Sequence, residues 1–302
     1  MDNEVRQMLR KVRRIDIATR RAANDTFAGR FQSVFRGRGM DFDEVRPYVP
    51  GDEVRTIDWN VTARAGAPFV KKYREEREVT ILLAIDVSAS GDFGSTERTK
   101  REIEAEIACL LALTAVRNND RIGLILYSDC IETYVEPKKG RTHVLRLVRE
   151  ILACKPRHRG TELAQALDFI DRITKRRAIV VLISDFKGGG DPGAATTGLD
   201  RALQAVRRKH DLVAMCVQDR HEQTLPDVGL LTLEDAESGE IIEVDTGSAK
   251  VRQRYAAAAT EERAQLRKTF RKQGIDTAEI DASVPYMPTL VEFFRSRGRR
   301  RR

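Results

Sequence analysis

The sequence predicts a doubly wound α/β fold: a mostly parallel, Rossmann-type sheet with helices on both faces, preceded by an N-terminal helix and an extended arm. From residue 78 onward, short apolar runs alternate with amphipathic stretches of helical length, the pattern of repeated strand–helix units. The first run, 80–85, is almost purely apolar, as a central strand buried on both faces should be. That run ends abruptly in Asp86, Ser88 and Ser90, one carboxylate and two hydroxyls at alternate positions. In an open α/β sheet, ligands bind just beyond the carboxyl ends of such strands. Hard oxygens gathered there suit Mg²⁺, which takes near-octahedral geometry and keeps some waters.

The elements follow in order. Residues 3–22 read as a helix, with Val5, Met8, Leu9, Val12 and Ile15 at helical spacing and arginines around the rest. The basic segment 1–28 that contains it is suited to packing on its own domain, to an anionic membrane surface or to a partner groove. Residues 29–77 form a Gly- and Arg-punctuated arm with strand-like pieces such as 68–73. The α/β domain spans 78–296. Strand 79–86 leads to helix 99–117, where Ile103, Ile107, Leu110, Leu111 and Thr114 line one face. Strand 121–127, a short strand 131–135 and helices 142–153 and 161–174 follow. Strand 178–183 ends in Ser184 and Asp185, and a glycine loop leads to helix 195–208. Strand 211–217, a hairpin over 230–244 turning at Ser238-Gly239, helix 248–273, strand 276–281 and helix 285–296 complete the domain. An Arg-rich tail, 297–302, closes the chain.

At 302 residues, 41% hydrophobic and 33% charged, the chain can bury one large core with appendages. No run of 18 or more apolar residues exists, so no stable membrane insertion is expected. No apolar signal segment opens the sequence, and a cytoplasmic location is the expectation. The four cysteines, Cys109, Cys130, Cys154 and Cys216, show no Cys-x-x-Cys spacing. Cys109 and Cys216 sit in apolar runs and read as buried thiols, and neither disulfides nor zinc are expected. The net charge of +8 is terminal: residues 1–38 contribute +6, residues 295–302 another +6, and the body between carries 38 basic against 42 acidic side chains. High pI therefore gives little support to a nucleic-acid-binding domain.

Two further elements fit the opening motif. Arg159-Gly160-Thr161-Glu162 places a hydroxyl at a helix start, where threonine also serves as an N-cap. Asp185 is a second carboxylate just past a strand's carboxyl end, where a turn or capping acid would also stand. His158 lies near Thr161 in sequence and could approach the same place.

The set Asp86-Val87-Ser88-Ala89-Ser90, Thr161 and Asp185 resembles the metal-ion-dependent adhesion site of von Willebrand factor A-like domains. The arm carries a more specific likeness. Arg36-Gly37-Arg38-Gly39-Met40-Asp41-Phe42, followed by Val45-Arg46-Pro47-Tyr48-Val49-Pro50-Gly51-Asp52-Glu53-Val54-Arg55-Thr56-Ile57-Asp58-Trp59, resembles the signature of the bacterial domain of unknown function 58 family. The resemblance covers roughly residues 25–300. Members of the family often carry two transmembrane helices before this region; no such pair is read in these 302 residues, and a soluble member is the expectation.

The resemblance implies a von Willebrand factor A-like fold in which Asp86, Ser88, Ser90, Thr161 and Asp185 hold Mg²⁺ (or Mn²⁺), directly or through water. An open position would then accept a partner's carboxylate. Family members are often encoded beside MoxR-type AAA+ ATPases. The implied role is a non-catalytic adaptor or chaperone-like subunit working with such an ATPase on a client protein. In the arm, Asp58 could pair with Arg46 or Arg55, and Trp59 reads as a packing anchor. The arm itself is a candidate ATPase-docking surface.

Two rival readings remain. Gly188-Gly189-Gly190-Asp191-Pro192-Gly193 matches Gly-x-Gly-x-x-Gly, with Asp219 after the next strand, the outline of a dinucleotide fingerprint. Against it, three residues intervene before the first glycine and Pro192 restricts the turn. A Mg²⁺-dependent aspartyl phosphatase would, by family analogy, want an acid where Ser88 stands. No Gly-x-x-x-x-Gly-Lys-[Ser/Thr] occurs, so ATP hydrolysis by this chain is not expected. The second rival is nucleic-acid or membrane-surface binding through the basic termini, with Arg295, Arg297 and Arg299–Arg302 forming a flexible cationic tail of weak, salt-sensitive affinity.

Overall fold

The computed structural model describes residues 40–75, 79–187, 195–236 and 238–300. The basic helix expected over 3–22, the glycine loop 188–193 and the last two arginines lie outside them. The chain divides into two units, residues 35–79 and the remainder.

In the smaller unit, β1 (Met40–Pro47) pairs antiparallel with β2 (Phe69–Glu75), from Met40 opposite Glu75 to Pro47 opposite Phe69. Between them lies α1 (Trp59–Ala65), capped by Asp58, whose carboxylate accepts from the N–H groups of Asn60 and Val61. This is the N-cap geometry that favours aspartate. The ion pairs differ from those anticipated. Arg46 forks onto Asp52 with contacts of 2.7 and 2.6 Å, and Asp58 faces Lys71 at 3.4 Å. Trp59 is 66% exposed rather than an anchor, because it opens a seven-residue helix that buries none of its residues.

The larger unit is built on a six-stranded sheet in the order β10–β7–β6–β3–β4–β5. Its strands are β3 (Thr80–Asp86), β4 (Arg121–Tyr127), β5 (Ile131–Lys138), β6 (Ile179–Ser184), β7 (Asp211–Gln218) and β10 (Asp276–Asp281). All neighbours run parallel except β4 and β5. The central strands read as apolar runs because they are buried on both faces. The helices are α2 (Lys100–Arg117), α3 (Arg141–Ala153), α4 (Leu163–Ile173), α5 (Ala195–Lys209), α6 (Ala249–Lys272) and α7 (Met287–Arg300). Leu167 of α4, Leu203 of α5 and Phe270 of α6 share one core layer with Leu82, Val180 and Leu212 of the sheet. The alternate strand residues serve the opposite face, where α2 packs across β3, β4, β6 and β7. The doubly wound expectation is met. A hairpin, β8 (Leu230–Glu234) with β9 (Ile241–Asp245), belongs to this unit and turns through Gly239 at φ 73°.

Three boundaries depart from the periodicity. β5 extends to Lys138 through Pro137, which an edge strand tolerates because no outer neighbour needs its missing N–H. Gly123 on β4 makes room for that ring: a Cβ there would stand 2.8 Å from Pro137 Cγ. The helix expected to start at 161 starts at Leu163 with Glu162 as its cap. The flexible tail expected from 297 is helix through Arg300, and Arg297 is 1% exposed. Its guanidinium pairs with Asp211 and lies 3.1 Å from Asp276, so this arginine is a core ion-pair member, not a solvated polycation. Among the described residues no helix is long and apolar enough to cross a membrane.

Candidate metal centre at the sheet's switch point

From β3 the chain steps to β4 on one side and later to β6 on the other. The carboxyl ends of β3 and β6 therefore flank the point where strand order reverses, where open α/β sheets form their ligand crevice. Asp86 is the last residue of β3 and Asp185 the first after β6. Both are buried, at 4% and 3% exposure.

Local hydrogen bonds set each group. Asp86 Oδ1 accepts from the Ser88 N–H at 2.9 Å, and its Oδ2 accepts from the Ser184 hydroxyl at 2.8 Å. The same Ser184 oxygen accepts from the Phe186 N–H at 2.8 Å. Ser88 precedes a 3-10 turn, Ala89–Asp92, that carries Ser90, and the two serine hydroxyls meet at 3.1 Å. Arg101 Nη2 donates to the Ser88 carbonyl at 2.8 Å. The loop bearing Thr161 is held to this turn by Ala89 N–H donating to the Arg159 carbonyl at 3.0 Å, and to the β4–β5 turn by Glu162 N–H donating to the Ser128 carbonyl at 2.9 Å. Glu162, not Thr161, takes the cap position of the following helix. Asp185 Oδ1 accepts from the Lys187 N–H at 3.0 Å. Between them Phe186 sits at φ 55°, a left-handed conformation costly for a bulky residue and found where strain is held for function. Its ring is pinned edge-on to Phe270, with centroids 5.1 Å apart.

A family model described as protein of unknown function DUF58 matches residues 44–265. The chain belongs to this family. An uncharacterized protein of Mycobacterium bovis is 31% identical to it over 290 residues, covering 95% of this chain and 89% of that protein. Among solved structures, the chain is similar to an aerotolerance-related membrane protein from Bacteroides fragilis, at TM-score 0.49 and 14% identity over 74% of this chain and 99% of that one. It is also similar to the SpRpn10 VWA domain, at TM-score 0.40 and 11% identity over 71% of this chain and 94% of that one.

In this DUF58 chain the site is strongly acidic for a buried place. Burial pushes the Asp86 carboxyl up to about 6, against the pull of the Ser88 N–H, and the Asp185 charge adds to the rise. Glu104 of α2, 2% exposed, is held well above the usual carboxylate range by burial and then by Asp185 and Asp86. Sequence reasoning missed both Glu104 and Lys100. Lys100 is fully buried, with Nζ on Asp185 and 2.6 Å from Glu222. Burial works against its ammonium, but Asp185 and Glu222 more than offset that and raise it. Ser184 was noted only as the residue before Asp185, yet it is the group that orients Asp86.

Asp219, the acid of the dinucleotide outline, is fully buried. Its Oδ2 accepts from the N–H and hydroxyl of Ser95, both at 2.9 Å, and its Oδ1 from the His221 N–H at 2.8 Å. It braces two loops and presents no carboxylate to a ribose. Beside Asp185 a cleft opens, lined by Phe186, Lys187, Glu222, Arg263 and Leu266 among others.

Proposed function

We propose that this chain is a non-catalytic, metal-dependent protein-binding subunit. In this reading Asp86, Ser88, Ser90, Thr161 and Asp185 hold Mg²⁺ (or Mn²⁺) at the switch point. The observation that carries the reading is the convergence of buried Asp86 and Asp185 with two serine hydroxyls that face each other at 3.1 Å. The donor set fits a hard cation: oxygens only, with more buried carboxylate than the neighbouring lysine can neutralise. When bound, the ion supplies an exchangeable coordination position that a partner's carboxylate can occupy.

The chain's own residues do the rest. Ser184 fixes the face that Asp86 presents. Lys100 anchors Asp185 through one oxygen and the Lys187 N–H holds the other, so Asp185 would serve the ion directly or through water. Lys187 and Arg263 flank the cleft through which an acidic segment would approach. The partner class follows from the family resemblance: a MoxR-type AAA+ ATPase, with a client protein. An enzymatic role receives no comparable support, since Asp219 is committed to structural hydrogen bonds and Ser88 stands where an aspartyl phosphatase would want an acid.

The test is a pull-down from native lysate with the full chain, in Mg²⁺ and in EDTA, with Asp86→Ala alongside. An ATPase or client held in Mg²⁺ but lost in EDTA and by the variant supports the proposal. A partner set indifferent to both rejects it.

A further inference from the structure

Zinc was not expected, because the cysteines lack paired spacing. The fold brings together what the spacing does not. The β4–β5 turn presents Asp129 and Cys130, and the loop before α4 carries His158 back to them. The ligand atoms of these three side chains all lie within 4.8 Å of one another. His158 Nδ1 is 3.3 Å from Asp129 Oδ1, a buried oxygen that accepts no hydrogen bond.

The two segments are locked together before any ligand arrives. Glu132 Oε1 accepts from the Ser128 hydroxyl at 2.9 Å, from the Arg157 N–H at 2.9 Å and from the His158 N–H at 3.3 Å. The Glu162 N–H to Ser128 carbonyl bond, at 2.9 Å, closes the other side. One carboxylate thus sets the backbone that carries the imidazole against the turn that carries the thiol.

We propose that Asp129, Cys130 and His158 form a second cation site, for a borderline-soft divalent ion of the Zn²⁺ class, with one coordination position open to water or to a partner's side chain. Thiolate, imidazole and carboxylate are the zinc ligand set, and three protein ligands with an open fourth place mark zinc sites that exchange ligands. The sulfur discriminates against Mg²⁺, whose preference is for oxygen. Zinc–ligand bonds of about 2.0–2.3 Å put tetrahedral ligand atoms roughly 3.3–3.8 Å apart. Side-chain torsions must therefore close the cluster by about 1 Å. His158 and Asp129 side chains, 54% and 44% exposed, have the room to do so. Binding displaces the thiol proton to solvent.

This site is chemically distinct from the all-oxygen site but mechanically next to it. A Cβ on Gly160 would stand 3.7 Å from Asp129 Cβ, and Thr161 is the following residue. A cation at the second site would thus pin the loop that carries Thr161.

Co²⁺ titration of the full chain, followed by absorbance, tests the proposal, since Co²⁺ reports a thiolate ligand by charge transfer. With excess Mg²⁺ present to keep Co²⁺ off the all-oxygen site, the expected result is a thiolate band that saturates at one equivalent. The band should be displaced by Zn²⁺ but not by Mg²⁺, retained in Cys154→Ser and Asp86→Asn, and absent in Cys130→Ser. His158→Ala and Asp129→Asn should each weaken binding at least ~10-fold. Circular dichroism checks that each variant is folded. If Cys130→Ser fails to fold, the exposed His158 variant decides. No band in the wild type, a band that survives Cys130→Ser, or unchanged affinity in both the His158 and Asp129 variants would overturn the assignment.

Discussion

Lys100, fully buried on Asp185 and Glu222, is the switch-point residue that its sequence context conceals. With Glu104 it forms an i, i+4 pair at the start of a helix, which ordinarily marks a solvated face. Here α2 is buried nearly all round, and both side chains are buried with it. Asp86, Ser88, Ser90 and Asp185 were legible because polar groups break an apolar strand at its carboxyl end. No periodicity marks a buried lysine, since its burial is decided by what packs over α2. Replacing Lys100 by Met removes the buried cation of Asp185 and leaves Glu222 with Lys187, 3.4 Å away. Loss of one partner from a buried ionic group costs ~3–5 kcal/mol. Urea unfolding of Lys100→Met should show a loss of that order, and a change under 1 kcal/mol would mean the carboxylates find another neutraliser.

At the scale of elements, strand and helix positions were legible because each central strand is a continuous apolar run and each helix has one apolar stripe. Their ends were not, because ends are set by tertiary contacts. β5 persists past its apolar residues by pairing with β4. Helix α4 begins two residues late because Arg159 and Glu162 are already bonded to neighbouring loops. A comparable junction holds β6 to the α5–β7 link: His210, 1% exposed, accepts the Ala178 N–H on Nδ1 at 3.2 Å. Burial lowers its affinity for a proton, and Nδ1 must stay unprotonated to accept. The unfolded chain therefore binds this proton at higher pH than the folded one. The His210 contribution is whole above the ordinary histidine value of about 6.5 and is lost as pH falls through the folded value below it. Asp86 and Glu104, both raised by burial, take up protons on folding in the same range and act the other way, so the His210 share is read as a difference: the urea midpoint of His210→Gln relative to the wild type should rise as pH falls from 7.5 to 5.5. An identical pH profile in the variant would show that the acid sensitivity arises elsewhere.

Across the whole molecule, the reversal of strand order between β3 and β6 turns a family likeness into a location, because it places two carboxylates from segments about a hundred residues apart at one crevice. The charge pattern was legible only in part. The terminal arginines count toward net charge, but Arg297 spends its charge on Asp211 and Asp276. Removing residues beyond 294 should therefore lower thermal stability markedly, not merely trim a tail, and Arg297→Ala should account for ~3–5 kcal/mol of the loss. A truncated chain with unchanged melting would return this segment to the status of a tail.

The proposed binding of a hard divalent cation by the switch-point oxygens is tested by calorimetric titration of the full chain with Mg²⁺, beside Asp86→Asn. Saturable binding is expected in the wild type, with at least ~10-fold weaker binding in the variant, which keeps the Ser88 contact but removes the charge. No binding heat in the wild type, or equal affinity in the two proteins, would contradict it.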